Sequence, residues 1–169
     1  VPMLHNRGRL LRDLGRFDDA LASLDRAIVA VPGRADLFNS RGLVLLAAGR
    51  ADEALASFDR GLALAPTDGA LRLNKSKTLL DLGRAADALA ALEAAPAALR
   101  SKPEFAVIES GAMFELQRYE DAVAACEHAL AAHDANPALW TDRGNALREC
   151  GRFDEALASY ERALALDPE

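Results

Sequence analysis

The chain has 169 residues, of which 51% are hydrophobic and 27% charged, with a formal net charge of −6. A nucleic-acid backbone needs a clustered positive footprint that this balance does not supply, and charges interrupt every window long enough to span a bilayer, so neither nucleic acid nor membrane is expected as a partner. Two cysteines make no disulfide framework, and no basic start leads into an apolar stretch with a cleavage site, so a reduced, cytoplasmic protein is expected.

Near the start stands LGRFDDALASLDRAIVAVP, residues 14–32, and at the end stands CGRFDEALASYERALALDP, residues 150–168. Their offset of 136 residues is four periods of 34, and three further copies lie between them without insertion or deletion. Blocks 1–34, 35–68, 69–102, 103–136 and 137–169 therefore tile the chain. A fixed period of this size marks a stacked-repeat architecture, in which each unit buries its apolar face only against a neighbour.

The first block opens with apolar residues at block positions 3, 10, 11 and 14 (Met3, Leu10, Leu11 and Leu14). Its second half is apolar at positions 17, 20, 21, 24, 27 and 28, steps of three and four residues that place one stripe on one face of a helix. Between the halves comes Gly15, repeated as Gly49, Gly83 and Gly151, with Gln117 the exception in the fourth block. A glycine there ends the first helix in a left-handed turn. Acids at position 19 (Asp19, Glu53, Asp87, Asp121, Glu155) favour the start of the second helix. Pro32, Pro66 and Pro168 close it. Each block thus reads as two amphipathic helices.

The second block follows the same scheme, and the third departs from it. Pro96 stands at position 28, inside the expected second helix, which should end near Ala94. Ser101 with Glu104 offers a capping box for the next helix, and the stretch between is expected either to kink or to lose one turn with the stacking intact. Small residues recur at position 20 (Ala20, Ala54, Ala88, Ala122, Ala156), position 27 and position 8, where helices are expected to approach closely. Cys126 and Cys150 fall at positions that are apolar elsewhere, which suits small buried thiols.

With helix pair, period and small slots in hand, the chain resembles a tetratricopeptide repeat array. The last block carries that family's pattern as Trp140, Gly144, Leu147, Ala156, Tyr160 and Pro168. Position 7 departs from it, with Arg7, Arg41, Lys75, Glu109 and Arg143 where the family has leucine, and arginine stands at position 16 in every block; both columns read as surface or inter-repeat polar contacts. The resemblance implies an all-α, right-handed superhelical solenoid of helix-turn-helix repeats forming a single domain over 1–169. It further implies a scaffold that binds a protein or peptide in a concave groove lined by the first helices. No cofactor, metal site or catalytic group is expected in these residues.

The groove positions implied by the family are 2, 5, 6, 9, 12 and 13. Read from this sequence, they nominate Arg9, Asn39, Leu43, Leu46, Leu73, Asn74, Lys77, Leu80, Val107, Ile108, Phe114 and Arg148 as binding residues. The middle blocks make an apolar strip there and the outer blocks are polar. Packing of position 12 within the repeat would take Leu46, Leu80 and Phe114 out of that strip. The carboxylate clamp of chaperone-binding members is not assembled in any window. The asparagine ladder of arrays attached to protein glycosyltransferases is broken, with Asn6, Ser40, Asn74, Ile108 and Asp142 at position 6. A substrate-recruiting arm of a larger enzyme and a self-assembling unit remain as alternatives. The second rests on the end repeats, whose uncovered stripes suggest either a piece of a longer chain or a homo-oligomer.

Overall fold

In the computed structural model, which describes residues 1–168, the regular structure is α-helical throughout. The chain divides into two compact units, Val1–Thr78 and the residues from Leu79 onward. The first holds α1 (Pro2–Asp13), α2 (Phe17–Ala30), α3 (Ala35–Ala47), α4 (Ala51–Leu64) and most of α5 (Gly69–Asp81). The second holds the end of α5, then α6 (Ala85–Glu93), α7 (Ala97–Arg100), α8 (Pro103–Glu115), α9 (Tyr119–Leu130), α10 (Pro137–Glu149) and α11 (Phe153–Leu166).

The turn inside each repeat is built the same way five times. The residue at position 15 is left-handed, with φ of 72° at Gly15 and 59° at Gln117. That turn lets the position-16 amide reach back to the carbonyl of position 11, as in Arg16 to Leu11 and Arg118 to Met113, both 2.9 Å. These bonds satisfy carbonyls that the helix end leaves open. The position-16 arginine is the N-cap residue of the second helix, yet its side chain caps no backbone amide. It instead grips the position-19 acid three residues on: Arg16–Asp19 at 2.6 Å, Arg50–Glu53 at 2.6 Å, Arg84–Asp87 at 2.6 Å, Arg118–Asp121 at 2.7 Å and Arg152–Glu155 at 2.8 Å. The acids therefore serve both the helix dipole and an ion pair within the turn.

Within a repeat the two helices meet at the small slots. A Cβ added at Gly42 would lie 2.2 Å from the Phe58 ring, and one at Gly144 would lie 2.6 Å from Tyr160. Position 8 must be small because the position-24 side chain lies directly over it. All five position-20 alanines are buried.

Between repeats the apolar stripes close on one another. Position 3 is buried as Leu37, Leu71, Phe105 and Leu139, whereas its first-block counterpart Met3 is 84% exposed. Leu10 is exposed as well, although position 10 is buried as Val44, Thr78, Ala112 and Ala146, so its core role is realised only in the later repeats. Position 14, expected in the core, stays exposed at Leu14, Leu82 and Leu116 alike. At the far end the same logic leaves Phe153, Leu157 and Leu164 open, although Leu21, Leu55, Leu89 and Val123 at position 21 are buried. Each such closure removes a side chain worth about 1.5–3 kcal/mol from water.

Position 7 supplies a polar tie across the same joints. Arg41 meets Asp25 at 2.8 Å, Lys75 meets Asp59 at 2.6 Å and Arg143 meets Glu127 at 2.7 Å, each acid standing at position 25 of the preceding repeat. Inside its own repeat, Arg143 also donates to Ser159 Oγ at 2.7 Å, and Arg7 donates to Ser23 Oγ at 2.5 Å.

The third repeat departs where Pro96 dictates. Helix α6 stops at Glu93 after nine residues, against fourteen in α2, α4 and α11. The chain then forms the separate turn α7, which neither a simple kink nor a lost turn describes. The expected capping box does not form. Lys102 is the N-cap of α8 with Pro103 at its first position, and Ser101 Oγ donates to the Ala98 carbonyl at 3.3 Å instead. A proline already suited to a helix start has fixed the boundary one residue beyond Ser101.

Candidate functional site

The face nominated by the sequence is carried by the first helices, and polar groups tie neighbouring helices along it. In the first unit His5 Nε2 lies 2.7 Å from Ser40 Oγ, and Asn74 donates to Asn39 Oδ1 at 2.8 Å. In the second, Ser110 Oγ donates to Asp142 at 2.8 Å. Position 6 thus joins adjacent first helices. Asn39 and Asn74 already spend one hydrogen bond on each other.

The apolar nominees are more enclosed than a bare strip would be. Leu43, Leu73 and Leu80 are half-buried, and Leu46 packs against the core of the first unit. In the second unit Val107 packs beside Ala106, Ala129 and Leu139. Phe114 lies edge-on to Tyr119 with ring centres 5.2 Å apart, and packs beside Ala146 and Leu147. Ile108 is only 7% exposed and offers no surface contact. It stands at the linking position 6, where an apolar side chain closes against its surroundings. Position 12 packs inward at Leu46 and Phe114, which leaves Leu43 and Leu73 as the half-open apolar nominees of the first unit.

The cationic nominees differ in their freedom. Arg148 is exposed and held by Glu149 at 2.8 Å. Arg9 and Lys77 are exposed too, and among the described residues neither has an ion-pair partner. Arg9, Leu43 and Lys77 all stand at position 9, on α1, α3 and α5.

One cluster on this face has the order of a hydrolase triad. His5 Nε2 meets Ser40, while its Nδ1 lies 3.7 Å from Asp36. Burial pushes the His5 imidazole below its ordinary range, Asp36 opposes this, and Arg34 and Arg9 add to it. Asp36 is itself gripped by Arg34, which holds its carboxyl below the usual range against the opposing effect of burial. Nucleophilic catalysis also needs donors aimed at a developing oxyanion. Ser40 sits in the sixth residue of α3, where backbone amides are engaged within the helix. The cluster therefore serves to tie α1 to α3.

In the second unit, Cys126 is fully buried beside Ser110 and its thiol is pushed up to about 12, chiefly by burial. Cys150 is free and only half-buried. Among the described residues no three His, Cys, Asp or Glu side chains converge as a metal site, and no helix is long and apolar enough to cross a membrane.

Paired antiparallel helices on a 34-residue period, joined by left-handed turns and locked by small slots, define a helical repeat protein. Profiles of the tetratricopeptide repeat match residues 5–69, 45–106 and 137–169. The chain belongs to the tetratricopeptide repeat family. Solved structures agree in fold. MamA 41-end from Desulfovibrio magneticus RS-1 is 18% identical with a TM-score of 0.86, the match covering 99% of this chain and 94% of that one. YrrB, described as a TPR protein with an unusual peptide-binding site, is 17% identical with a TM-score of 0.76, covering 98% and 86%. No curated protein matches this chain significantly in sequence. The fold supports a protein-interaction scaffold in general.

Proposed function

We propose that this protein is a protein-interaction scaffold whose first unit holds an extended peptide across α1, α3 and α5. The observation that carries this reading is the position-9 row: a free cation at Arg9, a half-open leucine at Leu43 and a free cation at Lys77. At the usual helix spacing of roughly 10 Å, the two cations stand about 20 Å apart. That distance suits an extended segment of about six residues. The matching ligand carries an aliphatic or aromatic side chain for Leu43 and Leu73, with an acidic residue toward each end.

Peptide-display selection on the protein and on the variant Arg9→Glu with Lys77→Glu tests the reading. The unaltered protein should enrich acidic residues flanking an apolar one, and the variant should replace the acids with bases. The same enriched motif from both proteins would refute it.

A further inference from the structure

A cavity of about 550 Å³ opens in the second unit among α7, α8 and α9. Its walls include Ala106, Glu109, Met113, Asp121, Ala125 and Arg100. The repeat register explains why it is there. In the fifth repeat Arg143, at position 7, lies against Glu127 at 2.7 Å, Ser159 at 2.7 Å and Glu155 at 3.8 Å. Those partners stand at position 25 of the preceding repeat and at positions 23 and 19 of its own. The equivalent residues one repeat earlier are Glu93, Ala125 and Asp121, and the residue at position 7 is Glu109. The fourth repeat has therefore kept the acids that surround the cation and replaced the cation with a further acid.

Neither Glu93 nor Glu109 has an ion-pair partner among the described residues, whereas Asp121 is held by Arg118 at 2.7 Å. The truncation of α6 at Glu93 leaves the preceding second helix five residues shorter than the fourteen-residue α2 and α4. Of the charged walls, Arg118 and Asp121 are spent on each other, which leaves Glu109, unpaired among the described residues, alongside Arg100 and His128. The repeat as a whole is acidic, since residues 103–136 hold seven acidic residues and one basic residue.

We infer that this cavity is a docking pocket for an arginine or lysine side chain of a partner peptide, which takes the place of the cation missing at position 7. The alanines and Met113 receive the methylene stem, and Glu109 receives the charged head. The ligand chemistry is an alkyl chain ending in a guanidinium or ammonium group. A free polyamine shares that chemistry, and the structure favours a peptide because the slot elsewhere in this chain accepts an amino-acid side chain. The pocket is distinct from the position-9 row, so either reading stands or falls without the other.

The test follows methyl resonances of Met113, Ala125 and Ala129 by NMR. The probes are a capped pentapeptide with one central arginine, the same peptide with neutral citrulline, and spermidine. The arginine peptide should shift these methyls and the citrulline peptide should not. Glu109→Gln should weaken the response by about tenfold, the scale of one lost charge-assisted contact. Glu109→Arg restores a cation at position 7, so it should abolish the response and raise the urea midpoint, which also shows that the variant is folded. Equal shifts with citrulline, a response that survives Glu109→Arg, a response to spermidine alone, or no response to any probe would each overturn the inference.

Discussion

Gly42 has no room for a single added carbon, because the Phe58 ring already occupies the place a Cβ would take. Gly42→Ala should therefore cost about 1–3 kcal/mol, read as a lower urea midpoint. Gln117 shows the opposite opportunity. It holds a left-handed φ of 59° that its four counterparts assign to glycine, so Gln117→Gly should raise stability by about 0.5–1 kcal/mol in the same assay. Cys126, buried and with its thiol pushed up to about 12, should resist alkylation until the protein unfolds. Rapid modification of Cys126 in the native protein would contradict its placement. At this scale the sequence is candid about size and silent about partners. The alanines at position 20 and the glycines at position 8 announced close contacts, since no large residue appears in those columns. The arginine at position 16 was visible five times, but its grip on the position-19 acid depends on how the turn presents both side chains.

Among the elements, α6 shows how one residue resets a repeat. Pro96 was legible as a stop, and α6 ends at Glu93, close to the expected Ala94. The short helix α7 was not legible, because a four-residue helix has too little periodicity to register. Pro96→Ala should let α6 continue by about one turn, seen as amide protection at residues 94–97; unprotected amides there would mean that another residue ends the helix. The tie between α8 and α10 carries a pH dependence. Burial raises the Asp142 carboxyl above its ordinary range, while the bond from Ser110 partly offsets this. The folded state then holds that proton more tightly than the unfolded chain. The stability it contributes is complete below the ordinary carboxylate range and is lost as pH rises through the raised value. Asp142→Asn should consequently be more stable than the unaltered protein at pH 7, with the advantage vanishing in acid. An equal advantage at both pH values would assign the effect to packing.

Across the whole molecule, charge separates along the chain. Residues 1–78 hold 12 basic and 9 acidic residues, and residues 79–169 hold 8 and 17. An acidic peptide is thus favoured at the first unit and a basic one at the second, and both associations should slow as salt is added. The repeat, the helix pair and the covered stripes were readable because a 34-residue period repeats every signal five times. The binding face was readable only in outline. Sequence spacing placed Leu43, Leu73, Arg9 and Lys77 on one face, but it could not show that Ile108 is shut in or that Asn39 and Asn74 bond to each other. Those outcomes depend on how neighbouring first helices meet, which no single block records. The most direct measurement is backbone-amide NMR of the protein titrated with an acidic, apolar peptide selected on it. Shifts should concentrate on residues 5–9, 39–43 and 73–77 of α1, α3 and α5. Shifts confined to the outer faces of α2 and α4 would contradict binding across the first helices.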